Sequence, residues 1–203
     1  MIVYLSSIIV DLLIHNEIIK KEQASVYQYV FEIFISSIIT GIITIACGLI
    51  LSCLPVALLY FGIFVILRMI CGGYHARTYW QCNLIFAIVT IITLLTFRFV
   101  TLEQFSKLHI CSIGFSILVT AFYAPVENEN KPLSPEQKKF YRILGTILIL
   151  MLATLSCVLK IKLGSNYSIL IDVTMSIVAL FMFVTEPTRG VNKNVQNDEE
   201  SCA

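Results

Sequence analysis

Apolar runs close to twenty residues long recur along the 203-residue chain, parted by short polar stretches. As a helix, a run of about twenty residues crosses a hydrocarbon core of about 30 Å. Runs at 30–54, 56–71, 82–100, 108–124, 143–161 and 167–186 predict six such spans. The second is short and ends in Gly72-Gly73, which suits a tilted helix or one that stops inside the bilayer. Alternation in segments of about ten residues, the mark of a membrane β-barrel, does not occur. The expected fold class is all-α, a polytopic membrane protein of about six transmembrane helices.

The two flanks pattern differently. In residues 1–22, Ile8, Ile9, Leu12, Leu13 and Ile19 alternate in helical steps with Asp11, His15, Glu17 and Lys20. This predicts an N-terminal amphipathic helix, either lying in the membrane interface or packed against the bundle from the polar side. The segment lacks a basic leader and a small-residue cleavage site, so it does not read as a cleaved signal. From 188 the tail "TRGVNKNVQNDEESCA" is polar and reads as disordered. The expected organisation is a lead-in over 1–29, one membrane domain over 30–187 and a tail over 188–203.

Composition agrees with this picture, and charge orients it. Charged residues make up 13% of the chain, against about 25% in soluble domains. A net charge of +1 gives no electrostatic footprint for a nucleic acid. With six spans, the two ends of the chain and the loops at 72–81 and 125–142 share one side. That side carries Lys20, Lys21, Arg77, Lys131, Lys138, Lys139, Arg142, Arg189 and Lys193, whereas the other carries Arg98, Lys107, Lys160 and Lys162. The positive-inside rule then places both termini and the 72–81 loop in the cytoplasm. Of the seven cysteines, Cys47, Cys53, Cys111 and Cys157 lie in apolar runs and read as small hydrophobes. There is no C-x-x-C pair, and His15, His75 and His109 are too scattered to suggest a metal site. No cofactor is implied.

The stretch "RMICGGYHARTYWQC", Arg68 to Cys82, concentrates the reactive side chains. Each has an ordinary reading. Arg68 reads as a snorkelling side chain, the glycine pair as a helix end, and Tyr74, Tyr79 and Trp80 as an aromatic belt. Together they suggest more, because an ionisable residue within a span costs roughly 2.5–3.5 kcal/mol on insertion scales and so points to function. A histidine and a cysteine at a membrane boundary are the minimum parts of an activated thiol. His75 and Cys82 are seven apart, about 10.5 Å along an unbroken helix, too far for proton transfer. A working pair therefore requires the chain to break and fold back between them, which the glycine pair permits. The expectation is a broken or re-entrant segment, with Cys82 near the start of the third span.

This segment resembles the signature of the accessory gene regulator B (AgrB) family, in its arginine, its Gly-Gly-x-His-Ala core and the cysteine seven residues after the histidine. "PVALLYFGIFVILRM" and "APVENENKPLSPEQKKFYR" also look like family segments, so the resemblance covers roughly residues 20–190. The family consists of membrane-embedded cysteine endopeptidases of Gram-positive bacteria that process the precursor of a quorum-sensing peptide. The resemblance implies that Cys82 is the nucleophile and His75 its base. It implies that Arg68, Gly72 and Gly73 shape the site or place substrate, and it draws in Lys131 with a less defined role. Asn83, Gln81 or a backbone carbonyl are alternatives for orienting His75.

The implied substrate is a short peptide with an amphipathic leader, a central cysteine or serine and an acidic C-terminal tail. Lys138 and Lys139, on the same side as the loop, are candidates for binding that tail; their other reading is that they only set topology. The resemblance further implies residence in the cell membrane among lipid, and a homodimer. Two rival readings remain open on the residues alone. One is a non-enzymatic transporter or signalling partner, and the other is a thiol-dependent acyltransferase with a lipid substrate.

Overall fold

The computed structural model describes residues 2–16, 18–72, 78–126 and 133–201, with side chains described as far as Thr185. Among these residues the regular structure is helical. It comprises α1 (Ile2–His15), a 3-10 turn (Lys21–Gln23), α2 (Ala24–Ile50), α3 (Leu54–Cys71), α4 (Tyr79–Phe99), α5 (Leu102–Tyr123), α6 (Pro135–Leu163) and α7 (Tyr167–Ser201). Helices α2 to α7 are each long and apolar enough to cross a membrane. The protein is a multi-pass helical bundle, as the hydropathy pattern predicts.

Several boundaries differ from the sequence expectation, for a consistent reason. Helix α5 starts at Leu102 rather than 108, and α6 at Pro135 rather than 143. In each case a capping box sets the start: Thr101 with Gln104, and Ser134 with Gln137. Hydropathy marks where a helix enters oil, whereas the cap marks where the helix begins. Likewise α2 spans 24–50 rather than 30–54, and α4 begins at Tyr79, capped by the Thr78 hydroxyl, which accepts from Gln81 N. Helix α7 continues to Ser201, past the position at which composition sets the start of a polar tail.

Helix α7 is the axis of the bundle. It packs on α3, α4, α5 and α6, most extensively on α5, and it buries Leu170, Met175, Val178, Ala179 and Met182. Opposite it, α3 buries Tyr60, Phe64, Leu67 and Cys71, positions three or four apart along one face. Phe86 of α4 joins Tyr60, Phe61 and Phe64 in an aromatic cluster. Large apolar side chains that point outward, such as Ile38, Ile42, Met151 and Phe122, are exposed because the surface meant for lipid is apolar too.

Helix α2 is the outlying span, and α1 packs against it. Ile2, Ser6 and Val10 of α1, spaced by four, are buried there. Ser6 Oγ donates to Glu32 Oε1 at 3.3 Å. The segment is thus helical and packed on α2.

Candidate active site at the α3–α4 junction

The site lies at the bundle end where α3 and α5 finish and α4 and α6 begin. The expected break is present: α3 stops at Cys71 and α4 starts at Tyr79. Gly72 ends α3 with φ 75° and ψ −152°, a conformation essentially confined to glycine. A Cβ at Gly72 would also collide with the Val126 carbonyl oxygen. Glycine is therefore required here twice over, by backbone angle and by space. The segment after α5 is what crowds it: Val126 N donates to Cys71 O at 2.9 Å. Arg142 Nε of α6 donates to Ala124 O at 2.9 Å, so α6 holds the same strand of chain in place. Cys71 itself is fully buried, and its sulfur lies 3.0 Å from where a Cβ on Gly145 would sit. These contacts make Cys71 a packing residue at the α3–α6 crossing.

Cys82 occupies the first turn of α4, its N–H bonded to Thr78 O at 3.1 Å. Its side chain is partly accessible. Arg68 Nη2 approaches Cys82 Sγ at 3.9 Å, fourteen residues back along the chain. The guanidinium also lies over the rings of Phe64 and Phe181, at 5.9 and 5.7 Å from their centroids. Cation–π contact of this kind helps hold a cation out of water, worth about 0.5–2 kcal/mol each. Arg68 thus sits within a span, three residues before its end, and its charge is directed at the sulfur of Cys82. The first turn of a helix also carries the positive end of the helix dipole. Negative charge developing on the Cys82 sulfur, or on an oxygen beside it, would meet both.

Two polar contacts fix the start of α4. Tyr79 Oη donates to Glu32 Oε2 at 2.7 Å, and Glu32 also accepts from Gln28 and Ser6. One carboxylate therefore joins α1, α2 and α4 within a turn of Cys82. Buried Asn83 accepts from Ser36 Oγ at 3.1 Å through Oδ1, which engages its amide oxygen with α2. Sequence reasoning missed Glu32; a glutamate inside the first apolar span was the available signal.

Of the residues singled out by sequence, the structure brings Arg68, Gly72 and Cys82 together. Gly73, His75 and Lys131 lie outside the described residues. Lys138 and Lys139 are in the first turns of α6, exposed, at the same end of the bundle as Cys82. No group of three or more His, Cys, Asp or Glu side chains among the described residues is arranged to hold a metal ion.

The model of the accessory gene regulator B family matches residues 6–185 of the chain. The chain belongs to the AgrB family. An AgrB-like protein of Clostridium beijerinckii is 27% identical over 188 residues, covering 91% of this chain and 89% of its own length. An AgrB-like protein of Clostridium perfringens strain SM101 is 30% identical over 169 residues, covering 78% of this chain and 77% of its own length. No solved structure matches the chain at a comparable level. The AgrB match runs from α1 into α7, so it contains the whole Arg68–Cys82 junction and the Lys138–Lys139 turn.

Proposed function

We propose that this AgrB-family protein is a membrane-embedded cysteine endopeptidase whose nucleophile is Cys82. The observation that carries the reading is the approach of Arg68 Nη2 to Cys82 Sγ, 3.9 Å apart where two spans break. The substrate is a short peptide with an amphipathic leader, a central cysteine or serine and an acidic tail. Cys82 Sγ attacks the carbonyl at the junction of centre and tail while His75 takes the thiol proton. His75 then returns that proton to the departing amine, the C–N bond breaks and the tail leaves. A thioester joins Cys82 to the remaining peptide. The central thiol of the peptide attacks that thioester, Cys82 is released as the leaving thiol, and a thiolactone closes (a lactone if the residue is serine). A thioester exchanged for a thioester needs no external energy source. Arg68 and the start of α4 offset the negative charge that develops during each attack. Placing the acyl-enzyme at a membrane boundary limits hydrolysis by water.

The test is co-expression with such a precursor, reading release of the acidic tail by mass spectrometry. Cys82→Ala and His75→Ala should each reduce release about a thousandfold or more, as loss of a member of a catalytic unit does. Release that survives Cys82→Ala at the unaltered rate would sink the proposal.

A further inference from the structure

A second thiol–imidazole–carboxylate arrangement lies at the opposite end of the bundle. Asp172 of α7 is fully buried and His109 of α5 is 6% exposed. His109 Nδ1 lies 2.5 Å from Asp172 Oδ2. On the other side of the ring, His109 Nε2 lies 3.7 Å from Cys157 Sγ of α6. The other carboxylate oxygen, Asp172 Oδ1, accepts from Ser156 Oγ at 2.7 Å. Three separate spans thus place a sulfur, an imidazole and a carboxylate in line, with both carboxylate oxygens engaged. Cys157 stands twelve residues beyond Gly145, about 18 Å along α6 from the level of Cys71. The cluster is therefore separate from the Cys82 site.

Its geometry has chemical consequences. With Nδ1 donating to the Asp172 carboxylate, Nε2 keeps its lone pair and faces the Cys157 thiol. A base oriented by a buried acid and aimed at a nucleophile is the triad logic of acyl transfer. Cys157 is partly accessible whereas its two partners are buried, so Cys157 is the member of the three placed to meet an incoming group. Val158 and Ile161 of α6 and Ile110 of α5, all outward-facing and apolar, flank it. A charged side chain near the cluster is Lys160 of α6, whose Nζ lies 3.3 Å from Ser106 Oγ of α5. The network extends to α7 through Ser112 Oγ, which donates to Asp172 O and meets Ser176 Oγ, and through Ser156 Oγ, 3.3 Å from the Ser168 carbonyl oxygen.

From this geometry we infer that Cys157 is a second acyl-accepting thiol, activated by His109 and Asp172, which takes thioesters of apolar or amphipathic acyl groups. In the step, Cys157 Sγ attacks the thioester carbonyl while His109 Nε2 takes its proton. The carbonyl carbon–sulfur bond of the donor breaks, and the donor thiolate leaves with that proton as a free thiol. The acyl group remains on Cys157 as a new thioester, so one thioester and one thiol give one thioester and one thiol. A thiol leaving group departs readily without strong acid assistance, which suits a site with one imidazole. The inference does not rest on the role proposed for Cys82.

The test uses the full-length chain carrying Cys82→Ala in detergent micelles, treated at neutral pH with the S-benzyl thioester of an alkyne-tagged decanoic acid. Peptide mass spectrometry should find the decanoyl group on Cys157, falling about tenfold or more in His109→Gln and in Asp172→Asn. No label on Cys157, or equal label in all three proteins, would overturn the inference. Because these variants remove buried contacts, a second measurement uses the unaltered chain. Cys157 should react with iodoacetamide about ten times faster than the exposed Cys111, despite its lesser exposure. Equal or slower reaction of Cys157 also overturns it.

Discussion

The two ends of this bundle each hold an ionisable side chain within a span, and each accommodates it differently. At one end the Arg68 guanidinium lies against the Cys82 sulfur and over two phenylalanine rings, beside a break between helices. At the other, the Asp172 carboxylate is enclosed by an imidazole and a serine hydroxyl within continuous helices. The first site lies where α3 ends and α4 begins, with Cys82 partly accessible. The second lies between closely packed spans, with His109 and Asp172 buried and Cys157 partly accessible. A membrane protein accepts charge in its interior where hydrogen bonds or oriented π faces replace water. An open site keeps such charge available for chemistry on a substrate, whereas a closed one also makes it a structural element.

The largest expected effect comes from removing the buried carboxylate. Asp172→Ala leaves His109 and Ser156 without their shared partner, and loss of one member of a buried pair costs about 3–5 kcal/mol. Thermal unfolding in detergent should show a large fall in Tm. Replacing both members by leucine should recover most of it, because the desolvation cost disappears with the pair. A loss within measurement error in Asp172→Ala would mean that the Asp172 carboxylate is not a structural element of this end.

Arg68 should behave in the opposite way. Arg68→Gln is expected to lower tail release about a hundredfold, mainly in kcat, as for loss of one preorganised donor to developing charge. Its effect on unfolding should be smaller than that of Asp172→Ala. Arg68→Lys should restore little, since an ammonium lacks the planar fork and ring stacking of a guanidinium. A variant that changes only KM would assign Arg68 to ground-state binding.

The sequence exposed one of these ends far better than the other. Arg68, Gly72 and Cys82 lie within fifteen residues, so their proximity was visible as a motif. The six spans were visible as well, because hydropathy and helix length are set by the same bilayer. Cys157, His109 and Asp172 are separated by 48 and 63 positions and meet only through the packing of α5, α6 and α7. Read alone, Cys157 looked like a small hydrophobe. The available signal was Asp172 within "SILIDVTMSIVALF", an acid in an apolar run, for which the same argument applies as for Arg68. Helix starts were the other blind spot, since the Thr101 and Ser134 caps lie outside the apolar runs that define the spans.

Gly72→Ala probes how the end of α3 is held at the open end. The new Cβ meets the Val126 carbonyl oxygen in a backbone conformation that costs an L residue about 1–3 kcal/mol. Val126 is also bonded to Cys71, so displacing it moves the end of α3 and with it Arg68. Tail release should fall about tenfold, with a smaller change in Tm than for Asp172→Ala. An unchanged rate would show that the end of α3 adjusts without disturbing the Arg68–Cys82 approach.

The smallest expected effect concerns recognition rather than chemistry. Lys138 and Lys139 stand exposed in the first turns of α6, at the Cys82 end, and the proposed substrate ends in an acidic tail. Exposed charge pairs are individually weak and screened by salt, so each contributes well under about tenfold to binding. Reversing both, Lys138→Glu with Lys139→Glu, should raise KM several-fold and leave kcat unchanged if these side chains bind the leaving segment rather than the reacting atoms. Raising the ionic strength should mimic the variant in the unaltered protein and have little further effect on the double variant. If KM does not move, the two lysines set the topology of α6 alone, and the acidic tail must be read by another part of the open end.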